Sequence, residues 1–214
     1  MRVAGLVMLT AILAAEGAQA QPPAAGTAAA PADGTAWSFS ASAFTYILPD
    51  SANYVQPTVA ADHGWLHLEA RFNYEDRDTG SAWFGYNFNV GEQLALEITP
   101  IVGVIFGNTA GIAPGYKALL GWQKLELSSE SEYVFDANDS ANNFLYTWSE
   151  LTLAPADWWR FGLAVQRTKV YRTNFDIQRG FVVGFSYRRG EFSAYLLNPD
   201  ASHPTVVLAA GLTF

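Results

Sequence analysis

The 214-residue sequence has no cysteine and little charge, since only 15% of its residues are Asp, Glu, Lys or Arg. The absence of cysteine excludes a disulfide-stapled secreted miniprotein and a lipid anchor attached to a cysteine. Basic residues are also scarce: 12 Lys and Arg against 20 Asp and Glu give a formal charge of −8, which excludes a nucleic-acid-binding protein. Aromatic residues make up 14% and hydrophobic residues 50%, so a disordered chain is excluded too.

Long apolar runs are missing as well, apart from one near the N-terminus. Residues 3–15 are apolar, fewer than the roughly 20 that a membrane-spanning helix needs. Ala18-Gln19-Ala20 then matches the small-x-small pattern of a signal-peptidase site. We therefore predict that residues 1–20 are a cleaved signal peptide and that the protein is exported. The alternative is an uncleaved inner-membrane anchor.

The composition changes sharply after residue 36. Residues 21–36 (QPPAAGTAAAPADGTA) consist mainly of Ala, Pro, Gly and Thr, and their prolines oppose both helices and strand ladders. We predict a linker there. From residue 37 onward, aromatic and aliphatic residues are interrupted only by turn clusters, so we predict one domain over residues 37–214.

Most of this domain alternates apolar and polar residues, which is the pattern of a half-buried β-strand. In residues 66–74 the even positions are apolar or aromatic and the odd positions are polar, and residues 82–89 follow the same rhythm. The apolar face is broad and aromatic, whereas the other face carries Glu, Arg, Asn, Lys and Gly. This contrast is typical of strands with lipid on one side and water on the other.

Long polar loops and short turns alternate between these strands. We predict loops at residues 49–53, 76–80, 107–111, 136–143, 172–176 and 198–203. We predict turns at residues 62–64, 91–93, 121–123, 155–157 and 189–190. These eleven connections imply about twelve strands, an even number as in bacterial outer-membrane barrels, with ten to fourteen as the range.

Aromatic residues near the predicted strand ends carry a family resemblance. They are Trp37, Tyr46, Tyr54, Trp65, Tyr74, Trp122, Tyr133, Trp158, Tyr171 and Tyr187. Together with the signal peptide and the alternating strands, they resemble the bacterial outer-membrane β-barrel class, porins included. The last residues, Leu208-x-Ala210-x-Leu212-x-Phe214, look like the signal read by the barrel-assembly machinery, although that signal often has aromatics where Ala210 and Leu212 stand.

The resemblance implies an all-β fold: a closed antiparallel transmembrane β-barrel over residues 37–214, located in the bacterial outer membrane. Its partners would then be outer-membrane lipid and the assembly machinery. Because the loops are short, we expect a monomer. The alternative fold is a periplasmic β-sandwich, which also alternates apolar and polar residues.

Strand parity predicts which residues face the inside of such a barrel. If Leu66, Leu68 and Phe72 face lipid, their neighbours along the strand face inward. The predicted lumen-lining residues are His67, Glu69, Arg71, Glu97, Lys117, Glu126, Glu130, Glu132, Glu150, Arg160 and Arg188. Tyr146 and Trp148 share the inward parity, either as lumen filling or as a sugar-stacking surface.

The excess of acids over bases in this set leaves two interpretations open. Cross-strand pairs such as Glu97–Lys117, Lys117–Glu126 and Glu150–Arg160 would neutralise one another and fill the barrel. Alternatively, unpaired carboxylates would form a cation-selective filter. Passage of small solutes is compatible with either interpretation.

One basic patch has the opposite parity. Arg167, Lys169 and Arg179 face outward beside Arg172 in the connecting loop, at the predicted extracellular rim. Guanidinium and ammonium groups bind phosphates, so this patch is a candidate contact for lipopolysaccharide. The alternative is an ordinary solvated rim.

The sequence offers little for catalysis. Hydrolysis at the membrane surface needs a His close to a Ser, but His67 points inward, His63 lies in a predicted turn and His203 lies in the last loop. We find no metal-binding or cofactor-binding motif, and we expect neither a cofactor nor an enzyme. The sequence favours a narrow porin-like channel for small solutes or cations, with a non-conducting structural or interaction barrel as the alternative and a lipid-modifying enzyme third.

Overall fold

A computed structural model describes residues 36–49, 51–91, 94–170 and 176–214, which form a succession of β-strands. The strands are β1 (Ser38–Ile47), β2 (Tyr54–His63), β3 (Leu66–Phe72), β4 (Thr79–Tyr86), β5 (Phe88–Val90), β6 (Leu94–Gly107), β7 (Gly111–Trp122), β8 (Leu125–Asp136), β9 (Phe144–Ala156), β10 (Trp159–Val170), β11 (Asp176–Tyr187), β12 (Gly190–Leu197) and β13 (Thr205–Thr213). The predicted signal peptide and residues 21–35 of the predicted linker lie outside the described residues.

A single 3-10 turn, Ser140–Asn142, is the one helical element within the ranges given above. No helix in these ranges has the length and apolar character needed to cross a membrane.

The strands form one sheet that closes on itself. Apart from β4 and β5, strands that are neighbours in the chain pair with each other, and β1 also pairs with β13. β4 and β5 are successive halves of one barrel strand, interrupted at Asn87, because both pair with β6. The result is a closed antiparallel barrel of twelve strands, and the predicted fold class is confirmed.

Short turns and longer loops alternate along the described part of the chain, as predicted. Two-residue turns follow β2, β7, β9 and β11. Longer loops follow β1, β3, β6, β8 and β12. Residues 92–93 of the predicted turn after β5 and residues 172–175 of the predicted loop after β10 lie outside the described residues. Both ends of the barrel chain lie on the side of the short turns. Outer-membrane barrels have short periplasmic turns and longer extracellular loops, so we call the side of the turns the periplasmic end and the side of the loops the extracellular end.

The barrel wall has two faces of opposite character. Leu68 and Phe72 on β3 are exposed on the outside, whereas Glu69 and Arg71 between them are buried inside. The same alternation runs through most of β4 and through the extracellular half of β6. Because a spanning sheet cannot leave backbone groups unpaired in hydrocarbon, closure and an apolar exterior together fit a membrane-spanning wall.

Aromatic side chains mark the periplasmic end of the exterior. Trp65 stacks on Tyr86, with ring centroids 5.2 Å apart. The C-terminal Phe214 stacks on Phe39 at 6.1 Å, and the two residues exchange backbone N–H···O hydrogen bonds of 2.9 Å. The first and last strands are thereby hydrogen-bonded to each other as far as their periplasmic ends, as closure of the barrel requires.

Glycines on the inner face make room for large side chains. Gly103 on β6 is directly paired with Trp83 on β4, and a Cβ on Gly103 would lie 2.5–2.7 Å from the indole ring. Gly184 has the same role beneath Arg160, whose Nε would lie 2.9 Å from such a Cβ. Long side chains therefore lie flat along the inner wall at these positions.

A charge on the outer face tests whether that face meets lipid. Leu163, in the middle of β10, is 52% exposed on the outside, and Ile177 is 51% exposed at the extracellular end of β11. We expect Leu163→Arg to destabilise the barrel in bilayers by about 2–4 kcal/mol and Ile177→Arg by about 0–1 kcal/mol, because the cost of a charge falls from the midplane to the interface. Urea unfolding in lipid vesicles measures both. Equal costs would contradict a membrane-spanning exterior.

Candidate functional site

The interior of the barrel collects the residues whose parity predicted an inward position. The structure places His67, Glu69, Arg71, Glu130, Glu132 and Glu150 in buried positions inside, and Glu97, Lys117, Glu126 and Arg160 inside with partial exposure. Tyr146 and Trp148 also point inward and are fully buried. Their dense packing favours lumen filling over an exposed sugar-stacking surface.

Arg188 needs a correction. β11 ends at Tyr187, and Arg188 occupies the two-residue turn that follows, with a backbone φ of 57°. Its side chain is exposed and its guanidinium carbon lies 5.2 Å from the centroid of the Tyr187 ring. Strand parity does not extend into a turn, so Arg188 lies at the periplasmic rim and not in the lumen.

Arg71 is the centre of the interior. Its side chain is 1% exposed and lies between two aromatic rings, 4.1 Å from the centroid of Tyr74 and 4.5 Å from that of Trp83. Its nitrogens reach three carboxylates, which are those of Glu69, Glu130 at 2.7 Å and Glu132 at 3.0 Å. Glu130 and Glu132 are on β8, so Arg71 on β3 crosses the interior.

A chain of ion pairs continues from Arg71 towards the periplasmic end. Lys117 on β7 is paired with Glu69 and lies 3.9 Å from Glu130. His67 lies 3.3 Å from Glu69 through Nε2 and 2.8 Å from the Asp62 carboxylate through Nδ1. Charges on four strands are thus linked across the barrel.

The loop between β3 and β4 enters this cluster from the extracellular side. Tyr74 and Glu75 are buried although they belong to no strand. The Tyr74 hydroxyl donates to Glu130 Oε1 at 2.7 Å, and Ser81 Oγ donates to Glu75 Oε1 at 2.6 Å. Burial raises the pKa of Glu75. We call Tyr74 and Glu75 the plug.

A second cluster surrounds Glu150 on the other side of the interior. This carboxylate accepts hydrogen bonds from Trp148 Nε1 at 2.9 Å, Tyr195 Oη at 3.0 Å and Arg160 Nη1 at 3.2 Å. Arg160 also donates to Ser193 Oγ at 3.0 Å. Glu150 is therefore compensated as a buried carboxylate should be.

Three carboxylates line the periplasmic half without such compensation. Glu97, Glu126 and Glu191 are partly exposed inside the barrel, and within the described ranges none of them forms an ion pair closer than 4.0 Å. Glu191 lines a small cavity there with Ser42, Phe44 and Tyr195. We call these three carboxylates the acidic vestibule.

The predicted pairings hold in one case of three. Arg160 pairs with Glu150, but Lys117 pairs with Glu69 and not with Glu97 or Glu126. The register explains the difference, because Lys117 lies opposite Glu130 and Thr99, whereas Glu126 lies opposite Gly121.

Several interior residues were not predicted from the sequence. Asp62 was assigned to a turn, but β2 continues to His63 and the turn begins at Gly64. Glu191 alternates with Phe192, and that parity could have revealed it. The plug had no signal in the sequence, because a loop that folds inward follows no strand parity.

The outward basic patch is described only in part. Arg167 is exposed on the outside of β10, and Arg179 is exposed on β11, where its Nη2 donates to Asp200 Oδ2 at 2.9 Å. Backbone hydrogen bonding and then Arg179 lower the pKa of Asp200. Arg172 and the side chain of Lys169 lie outside the described residues.

Two solved structures share this architecture. They are the "KdgM porin" and the "KdgM porin in complex with disordered oligogalacturonate", each with a TM-score of 0.56 at 8% identity, covering 82% of this chain and 99% of that chain. The Acinetobacter baumannii outer membrane protein Omp33 aligns over 83% of this chain and 98% of its own, with 10% identity and a TM-score of 0.49. No protein-family model matches the chain, and neither does any curated protein sequence.

The closed wall, the apolar exterior and the likeness to the KdgM porin define the class: the chain has the fold of a small outer-membrane β-barrel. Its interior is polar and charged, but it is filled at the level of Arg71. The chemistry available there is ion pairing, hydrogen bonding and stacking.

Removal of the central cation should be costly. We expect Arg71→Gln to destabilise the barrel by about 3–5 kcal/mol, because it leaves buried carboxylates without a counter-charge. Arg179→Gln is the matched control: both partners of the Arg179–Asp200 pair are exposed, so stability should be nearly unchanged. Denaturant unfolding in detergent micelles measures both. A small effect of Arg71→Gln would mean that the interior carboxylates are compensated by other means.

Proposed function

We propose that this protein is a narrow porin-like channel of the bacterial outer membrane for passive passage of small solutes or cations. The observation that most directly supports this proposal is a closed twelve-strand barrel whose charged interior is enclosed by an apolar exterior. The likeness of its fold to the KdgM porin supports the same proposal. The proposal assigns no enzymatic step to the chain.

The charges of the interior support a preference for cations and neutral solutes. The acidic vestibule has an excess of carboxylates, and rings of carboxylates favour cations. The oligogalacturonate in the KdgM complex is an anionic sugar chain. Such a polyanion would be repelled by Glu97, Glu126 and Glu191, so we propose that this chain takes a different class of solute.

A non-conducting structural or interaction barrel is the second candidate, and the filled interior favours it. The side chains of Arg71, Glu69 and Glu132 are 0–2% exposed, so the interior is tightly packed around Arg71. Planar-bilayer recording of the purified protein separates the two candidates: stepwise currents support the channel, and their absence at every voltage and pH supports the structural barrel.

Neutralising the acidic vestibule tests selectivity. We expect Glu126→Gln with Glu191→Gln to lower the cation-to-anion permeability ratio by about twofold to tenfold, because local field lines concentrate cations. Reversal potentials in a salt gradient give the ratio. The control is Asp139→Asn in the exposed loop after β8. An unchanged cation-to-anion ratio in the double variant would show that the acidic vestibule does not determine selectivity.

We propose further contacts at the membrane. The outward basic patch of Arg167, Lys169, Arg172 and Arg179 would bind lipopolysaccharide phosphates, and the C-terminal strand ending in Phe214 would be read by the barrel-assembly machinery. The exposure of Arg167 at the extracellular end supports the first contact. We propose a monomeric barrel.

If the basic patch binds lipopolysaccharide, removal of its positive charges should reduce the amount of bound lipopolysaccharide. Replacing the four basic residues of the patch by Gln should reduce the lipopolysaccharide that co-purifies with the barrel, because each phosphate contact is charge-assisted. Lys124→Gln, in the exposed turn after β7 at the periplasmic end, is the control. Quantifying lipid A in the purified proteins gives the result, and equal amounts in all variants would reject the contact.

A further inference from the structure

The loop that carries the plug enters the interior without joining the sheet. Residues 73–78 connect β3 and β4 at the extracellular end, yet Tyr74 and Glu75 are buried within the barrel. Tyr74 donates to Glu130 and its ring packs 4.1 Å from the Arg71 guanidinium carbon and 6.0 Å from the Tyr146 ring, while Glu75 accepts from Ser81. Because Tyr74 and Glu75 belong to no strand, movement of the plug breaks side-chain contacts but no strand pairing.

The charges around the plug do not balance when every acid is ionised. Four buried carboxylates, those of Glu69, Glu75, Glu130 and Glu132, face two cations, Arg71 and Lys117. Asp62 and His67 add one acid and one base to this cluster, because His67 contacts both Asp62 and Glu69, so they leave the count unchanged when both are charged. If two of the four carboxylates hold protons, the cluster is neutral, as a dry interior requires.

Two buried oxygens indicate where those protons lie. Glu75 Oε2 and Glu132 Oε1 have no hydrogen-bond partner among the described residues and no contact with solvent. The other oxygen of each carboxyl is engaged, with Ser81 for Glu75 and with Arg71 for Glu132. A protonated oxygen is neutral and can be buried at far lower cost than a charged one.

Every element packed around these two carboxyls contributes to the balance. The titratable and charged groups are Glu69 and Arg71 on β3, Tyr74 in the loop, Lys117 on β7, Glu130 on β8, Tyr146 on β9, Tyr46 on β1 and Tyr54 on β2. The inner residues of β4, Ser81 and Trp83, do not titrate. Among these groups, Glu75 and Glu132 are the two carboxyls that have an oxygen without a hydrogen-bond partner among the described residues. Their ionisation therefore adds negative charge directly at the plug.

We propose that the plug is a proton-operated gate, closed while Glu75 and Glu132 hold protons and open when they ionise. This inference rests on the proposed channel function. Ionisation places two further negative charges in the dry cluster, so Glu75 is repelled by Glu69, Glu130 and Glu132 and the plug moves to the wet extracellular mouth. The closed state binds more protons than the open state, so acid favours closure and rising pH favours opening.

Conductance against pH tests the gate. From about pH 4.5 to about pH 9, we expect the ratio of open to closed channels to rise by about tenfold to a hundredfold per pH unit in the transition, since opening releases up to two protons. The variant Glu75→Gln with Glu132→Gln cannot ionise and should stay closed throughout. Asp157→Asn, in the exposed turn after β9, is the control and should keep the response. A pH-independent conductance, or a double variant that responds like the parent, would overturn the gate.

Thiol labelling provides a readout that does not depend on conduction. The natural chain has no cysteine, and Ala113 is fully buried on the inner face of β7, two residues from Gly115, which pairs with Glu132. We expect alkylation of Ala113→Cys by a water-soluble maleimide to rise with pH, and Glu75→Gln with Glu132→Gln to abolish the rise. Rates are normalised to Asn138→Cys in an exposed loop, because the thiol itself ionises.

The two readouts separate the two proposals. Labelling that rises with pH without any current supports the moving plug and rejects the channel. Current that does not vary with pH, together with constant labelling, supports the channel and rejects the gate.

Discussion

Complete pairing of the backbone is the constraint from which the rest of this structure follows. A sheet in hydrocarbon has no water to satisfy its edges, so the first strand must meet the last. The chain meets this requirement by pairing β1 with β13 and by exchanging backbone hydrogen bonds between Phe39 and Phe214. Closure then forces alternate side chains into a confined interior. The polar and charged side chains that a lipid-facing surface excludes must therefore be placed in the interior.

That interior is held together by charge compensation. Arg71 is buried between Tyr74 and Trp83 and reaches carboxylates on two strands. A buried guanidinium is tolerated only because its partners are in place, and those carboxylates are tolerated only because of Arg71. Gly103 contributes by leaving room for Trp83. The residues that give the barrel a polar interior are thus the same residues that fill it.

The fold and the inward-facing residues were predictable from the sequence, whereas the pairing partners of those residues and the plug were not. Period-two alternation in β3 depends only on neighbouring residues, so it identified both faces, and alternating loops and turns identified twelve strands. Pairing depends on register: Lys117 reaches Glu69, three strands away in the sheet order, which no local pattern encodes. Glu75 belongs to a loop whose path is set by contacts with Ser81 and with its neighbours inside the barrel. Arg188 was misplaced because parity was extended one residue beyond the end of β11.

The two interpretations of the interior charges apply to different levels of the barrel, with charge pairing at the level of Arg71 and, in the proposed channel, ion selection in the acidic vestibule. At the level of Arg71 the carboxylates are paired and dry, so they act in packing. In the acidic vestibule Glu97, Glu126 and Glu191 are partly exposed and unpaired within the described ranges, so they set the local potential. A solute entering from the periplasmic end meets the vestibule before the cluster. In the proposed channel, selection by charge and control of passage would therefore be separable by position, because the first needs wet carboxylates and the second needs dry ones.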